Sequence, residues 1–155
     1  MDLKLLTDDE ETISILANWY FDEWGDSLFG DSLDKVKDKL NNYVKPNQLP
    51  LIVIATEGNK IIGASQLKFH EMDIYPEKEH WLGGVYVDRQ YRGNGVAKTI
   101  ISEVILLAKV FNISKLYLQT EFLDGGLYSR LGWRPLEKVN YQGLDVLVME
   151  RDNAI

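Results

Sequence analysis

The chain has 155 residues, with no cysteine and two histidines, and its 17 Lys+Arg against 24 Asp+Glu leave a net charge of -7. Thiolate metal sites and cysteine nucleophiles are thereby excluded, a histidine-rich zinc site built on His70 and His80 is disfavoured, and no metal, nucleic acid or anionic membrane is an expected partner. At 45% hydrophobic and 26% charged residues, the chain has the profile of one compact globular domain over residues 1–155, and the absence of a basic apolar leader in MDLKLLTDDEETI, or of any apolar run near about 18 residues, makes a cytoplasmic location the expectation.

Thr7 to Glu10 reads as a capping box that starts a helix. Ile13, Leu16, Ala17, Tyr20, Phe21 and Trp24 then form a single apolar stripe at helical spacing, ended by Gly25. A second, peripheral helix is predicted from about Ser32 to Tyr43, with Leu33, Val36, Leu40 and Tyr43 on one face and Pro46 to Pro50 closing it.

From Leu51 the texture changes to LIVIATEGNKIIGASQLKF, two β-rich runs joined by the turn residues Glu57-Gly58-Asn59-Lys60, which predicts an antiparallel hairpin. HEMDIYPEKEH has neither helical nor strand period and reads as an exposed loop. A strand from Leu82 to Val87, a glycine loop and a helix to about Phe111 follow, and KLYLQT (Lys115 to Thr120) is the next strand. This succession makes a right-handed βαβ unit with parallel strands. A short helix fits Asp124 to Leu131, with Gly132 ending it in a left-handed conformation. WRPLEKVNY and LDVLVMER flank Gln142-Gly143 as a closing hairpin.

The loop in VYVDRQYRGNGVAKTII carries the functional signal. Gly93 and Gly95 keep side chains away from a ligand, and the helix that starts near Gly95 presents free N–H groups and its positive dipole end, a combination suited to a phosphate or pyrophosphate. A Walker A loop ending in Lys98-Thr99 would need glycine where Arg92 and Ala97 stand. A dinucleotide loop anchored on Gly93 and Gly95 would want glycine or alanine in place of Lys98, and a parallel sheet around it.

Residues 82–97, LGGVYVDRQYRGNGVA, resemble the signature of the GNAT superfamily of N-acetyltransferases, whose Arg/Gln-x-x-Gly-x-Gly/Ala pattern is met by Arg92, Gly95 and Ala97. The later strand, the short helix with LYSRLGW and the closing hairpin also occur in that family's order. The resemblance implies an α/β (α+β) fold: a mixed, mostly antiparallel, twisted sheet of six to seven strands, with a central parallel βαβ unit and about four helices. It implies acetyl-CoA as cosubstrate. The coenzyme pyrophosphate would lie on Arg92, Gly93, Asn94, Gly95, Val96 and Ala97, with Lys98 and Arg89 within reach of nucleotide phosphates. The pantetheine arm would run along Val85, Tyr86 and Val87, where Gly83-Gly84 favours a bulge that opens the strand from its neighbour. Family members often dimerise, and exposed aromatics would support a homodimer here.

The same resemblance makes Tyr128 the acid that protonates the leaving thiolate, beside the coenzyme sulfur. A phenol, with a pKa of about 10, keeps its proton at neutral pH. For the base, His80, Glu79 and Glu121 all remain candidates; His80 comes first because an imidazole ordinarily titrates near neutrality. Direct transfer in a ternary complex, with no covalent enzyme intermediate, is the simpler mechanism for a chain without cysteine. Asp22, Glu23, Asp26, Glu71 and Asp73 suit a cationic amine acceptor, such as a polyamine, an aminosugar or a peptide amine, with Tyr20, Trp24, Phe29 and Trp81 as an apolar wall. A non-catalytic acyl-CoA sensor is the alternative reading, and a toxin acting on aminoacyl-tRNA is disfavoured by the charge.

Overall fold

The computed structural model describes residues 1–25 and 32–153. Seven strands form one sheet in the order β1-β2-β3-β4-β5-β7-β6: β1 Asp2–Leu5, β2 Leu51–Glu57, β3 Lys60–Phe69, β4 His80–Val87, β5 Lys115–Thr120, β6 Arg134–Tyr141 and β7 Leu144–Asp152. Neighbours are antiparallel except β4 and β5, which are parallel and share a single register pair, Trp81 with Tyr117. The mixed sheet with its βαβ crossover is as expected. β1 was not foreseen: four residues of modest alternation carry little periodic signal.

Among the described residues, four α-helices cover the sheet: α1 Glu10–Tyr20, α2 Leu33–Leu40, α3 Val96–Val110 and α4 Gly126–Arg130. The expected capping box is replaced by Asp9 as N-cap, with the Thr12 hydroxyl donating to its carboxylate at 2.6 Å. Beyond Tyr20 the helix widens into a π turn, Phe21–Gly25, so the predicted stripe loses its α spacing there. Ser32 caps α2, its hydroxyl accepting from the Lys35 N–H.

Side-chain alternation along the strands assigns the two faces. Leu51, Val53, Ala55, Leu82, Leu116, Leu118, Leu147 and Met149 pack with Val96, Ile100, Ile101, Val104 and Ala108 of α3. On the other face, Ile52, Ile54 and Ala64 pack with Ile13, Leu16, Ala17 and Tyr20 of α1. A separate cluster on Trp81, Tyr141, Val146 and Val148 is closed by Met72 and Tyr75. The segment read as an exposed loop is therefore a strap whose Met72 and Tyr75 are buried by contacts distant in sequence, while Ile74 between them stays exposed. Tyr75 hydrogen-bonds Glu137, and the Tyr141 hydroxyl donates to Asp73 Oδ1 at 3.1 Å.

Among the described residues, no helix is long and apolar enough to cross a membrane, and no group of His, Asp or Glu residues is arranged to hold a metal ion.

Candidate active site

The site grows out of a fault in the sheet. Gln66 pairs with Gly83 and Ala64 with Tyr86, so β4 carries one extra residue opposite Ser65. Gly84 sits in this bulge at φ +55°, and a Cβ there would lie 2.6 Å from Gln66 Nε2. Position and conformation both call for glycine. The Tyr20 hydroxyl reaches across from α1 to donate to the Gly84 carbonyl at 2.8 Å. Beyond Trp81 and Tyr117, β4 and β5 make no further pairs, which leaves backbone groups of both strands facing a gap.

One end of the gap meets the glycine loop. Gly93 and Gly95 have φ +83° and +79°, and a Cβ on either would meet only open space, so glycine is there for backbone conformation and for the clearance it leaves. Gly95 is the N-cap of α3 and supplies no side-chain cap; the first loop N–H past it to find an acceptor is that of Thr99, bonded to the Gly95 carbonyl at 3.1 Å. The Arg92 N–H is taken by the Arg89 carbonyl at 3.4 Å, whereas the N–H groups of residues 93–98 have no backbone partner among the described residues, which is the unmet donor set an anion needs. Gly63 lets the helix start this close to the sheet, since a Cβ there would fall 2.7 Å from Ile100 Cδ1 and 3.2 Å from Val96 Cγ1.

The predicted cofactor residues fall into distinct places. Arg92 does not reach outward: its Nε donates to the Val87 carbonyl at 2.8 Å and its guanidinium lies over the Tyr86 ring, bracing the loop against the strand. Asn94 Nδ2 donates to the Tyr91 carbonyl, which further fixes the turn. Val96 is buried under the helix start, Ala97 is half-buried, and Lys98 and Arg89 are exposed. Val85 lines the gap, Tyr86 stacks on Trp19 of α1 at 4.9 Å, and Val87 turns into the α3 core.

On the face covered by α1 and α2 the gap opens into a cavity of about 490 Å³. Its aromatic wall is Tyr20, Trp24, Tyr43, Phe122, Tyr128 and Tyr141, and its charged groups are Glu23, Lys39, Lys68, Glu71 and Glu121. Tyr128 stands edge-on to Trp133, and burial, with the Glu71 carboxylate second, pushes its phenol up to about 12. Burial also pushes the Tyr20 phenol up, well above its ordinary value.

Several predicted acceptor residues lie elsewhere. His80 is at the opposite end of β4, against Phe69 and Glu79, and neither it nor Glu79 lines the cavity. Trp81 is fully buried between Tyr75 and Tyr117, because the strand starts at His80 and turns that ring into the core. Asp73 is engaged by Tyr141, Asp22 is exposed outside the cavity lining, and Asp26 and Phe29 lie outside the described residues. Tyr43, Gln66, Lys68 and Tyr141 line the cavity without having been singled out. Lys68 and Glu71, three apart across a turn, carried a signal for an ion pair.

The model of the acetyltransferase (GNAT) family matches residues 10–133. No curated protein matches the sequence. Among solved structures, the fold is similar to an aminoglycoside 6'-acetyltransferase type Ii (TM-score 0.76, 16% identity, 100% of this chain and 99% of that one). An aminoglycoside 6'-N-acetyltransferase complexed with coenzyme A is similar too (0.76, 13%, 100% and 98%), as is a ribosomal-protein-alanine N-acetyltransferase from Brucella melitensis (0.72, 19%, 96% and 99%). At these identities the structures speak for the fold. The family match takes in α1, the bulged strand, the glycine loop and Tyr128, well over half of the chain, and the chain therefore belongs to the GNAT family of acetyltransferases, enzymes whose acyl donor is acetyl-CoA.

Proposed function

We propose that this enzyme acetylates a primary amine that enters as its ammonium form, by direct transfer between two substrates bound at once. The observation that carries this reading is the gap between β4 and β5, with an unmet row of N–H donors at one end and a cavity of tyrosines and carboxylates at the other. Residues 92–97 would hold the pyrophosphate, and the backbone of Val85 to Val87, apart from the Val87 carbonyl already bonded to Arg92, the pantetheine arm. The bulge leaves Val85 without a register partner in β3, so its N–H is the natural donor to a thioester carbonyl. When bound, acetyl-CoA supplies the acetyl group: the amine nitrogen bonds to the carbonyl carbon, the C–S bond breaks, and the sulfur leaves with the electron pair.

The protein's own groups handle the protons. An alkyl ammonium has a pKa of about 10.4 and must lose a proton before it can attack. Glu71, in the cavity wall over Gly83, is placed to hold that ammonium and take its proton on to cleft water, with Glu121 at the mouth. Tyr128 donates to the departing sulfur and is reprotonated from the cleft. Per turnover the ammonium loses two protons; one ends on the thiol and one in solution. The solved relatives in fold that act on aminoglycosides and on a ribosomal-protein alanine support an amine acceptor.

The test is thiol release from acetyl-CoA across a panel of amines, read with a thiol-reactive dye to which this cysteine-free chain adds no background. Amine-dependent release is the expected result. No release with any amine, together with no acetyl-CoA binding by calorimetry, would overturn the proposal.

A further inference from the structure

The cavity wall contains a feature that a site for a simple polycation would not have. Lys68 Nζ and Glu71 Oε1 form an ion pair at 2.8 Å, with side-chain exposures of only 22% and 15%. The pair lies directly on the opened strand: a Cβ on Gly83 would be 2.8 Å from Glu71 Oε1 and 2.9 Å from Lys68 Cε. The missing side chain at Gly83 thus makes the room in which both charges face the gap.

Neither side chain is saturated. An ammonium has three donors and a carboxylate about four acceptor sites. Among the described residues the one ion pair or hydrogen bond that either side chain makes is to the other, with the Tyr43 and Tyr141 phenols close enough to interact electrostatically. Burial pulls the Lys68 amine down, but the charge and hydrogen bond of the Glu71 carboxylate, together with the Tyr43 and Tyr141 phenols nearby, more than offset it and hold the amine above its ordinary value, so the site keeps its positive charge. Buried polar groups ordinarily have their hydrogen bonds met. The remaining lysine donors and carboxylate acceptors face the cavity, where a ligand that displaces water can meet both.

A ligand that meets both must carry an acceptor and a donor a few bonds apart. A polyamine or aminosugar would satisfy Glu71 but bring a second ammonium against Lys68. A zwitterion laid head to tail on the pair satisfies both, its ammonium on Glu71 and its carboxylate on Lys68. Elsewhere in the wall, beside the charged Glu23, Lys39 and Glu121, the rings of Tyr20, Trp24, Tyr43 and Phe122 offer an apolar surface to a side chain. A cavity of about 490 Å³ that must also admit the acyl end of the coenzyme suits one amino acid better than an oligosaccharide. We infer that the acceptor is a free α-amino acid, with Lys68 as the residue that selects its carboxylate. This rests on the acetyl-transfer reading above, and the chemistry is the same: the α-amine takes the acetyl group and the carboxylate is unchanged.

The experiment compares the twenty L-amino acids with decarboxylated counterparts, such as L-phenylalanine with 2-phenylethylamine, and with spermidine and an aminoglycoside. At least one amino acid should exceed its decarboxylated counterpart by about tenfold or more in kcat/KM. In Lys68→Met that ratio should collapse by a similar factor, and Lys68→Arg should restore most of it. Calorimetry on protein saturated with desacetyl coenzyme A should show the best amino acid binding to wild type and Lys68→Arg more tightly than to Lys68→Met. Thiol release with spermidine or the aminoglycoside but with no amino acid would overturn the zwitterion assignment and leave acetyl transfer standing. So would a ratio that Lys68→Met leaves unchanged. Absence of thiol release with every amine would remove the acetyl-transfer reading and this inference together.

Discussion

Replacing Tyr128 with Phe tests the proton chemistry most directly, because it removes one hydroxyl and keeps the ring that packs on Trp133. The phenol is held at about 12, chiefly by burial, whereas a thiol has a pKa of about 8.5. Complete transfer of the phenolic proton to a free thiolate is therefore uphill by about 3.5 units, or about 5 kcal/mol. Tyr128 then acts mainly by donating a strong hydrogen bond to charge that develops on sulfur, with the proton committed late. A preorganised donor of that kind in a desolvated site contributes about 3 to 4 kcal/mol. Tyr128→Phe should accordingly lower kcat by about 100- to 1000-fold while acetyl-CoA affinity changes by less than about threefold. The pH profile supplies a second readout. A group whose pKa is raised keeps its proton from its ordinary value up to the raised one, so Tyr128 should introduce no alkaline fall in kcat below about pH 10. Stopped-flow thiol release and coenzyme calorimetry from pH 6 to 10 give both quantities. An alkaline limb near pH 8 to 9 that disappears in Tyr128→Phe would refute the argument, as would wild-type kcat in the variant.

Gly95→Ala places a Cβ in open space but at φ +79°; it should cost about 1 to 2 kcal/mol and raise KM for acetyl-CoA at least tenfold, measured by differential scanning calorimetry and initial rates. Gly63→Ala drives a methyl against Ile100 and Val96, so it should destabilise by about 1 to 3 kcal/mol and weaken coenzyme binding by moving the start of α3; unaltered binding would mean the close helix approach is irrelevant to the cradle. Tyr141→Phe removes the bond to Asp73 that fastens the strap and should cost about 1 kcal/mol, a fall in Tm of about 2 to 4 °C.

The parts of the molecule legible in the sequence were those set by local chemistry. Gly58-Asn59 and Gln142-Gly143 announced their hairpins, Gly132 its helix stop at φ +90°, and Gly93 and Gly95 their loop, because each needs a backbone conformation that few residues adopt. The strap escaped notice because Met72 and Tyr75 have no periodicity to betray them; Trp81, Val146 and Val148 bury them from distant positions in the chain. The same difficulty affected the acceptor residues. His80 looked like a base from its chemistry alone, but the start of β4 directs it away from the cavity, while Lys68 and Glu71 reach the cavity only because Gly83 makes space for them. Tyr20 was foreseen as an aromatic wall. Its hydroxyl contact with the Gly84 carbonyl, 64 residues away, was beyond any local pattern.

The unpaired stretch between β4 and β5 bears on how such a chain avoids self-association. Unpaired strand edges ordinarily invite another chain to add to the sheet. Here the exposed backbone is turned inward, one bare edge facing another, under Tyr20, Trp24 and Tyr43 on one side and behind the α3 start on the other. The outer edges are blunted by other means: β1 has only four residues, and β6 carries Pro135 beside a register shift, with Arg134 and Lys138 along it. The enzyme thus keeps its stickiest backbone at the place where a slender substrate arm can reach it and a neighbouring polypeptide cannot.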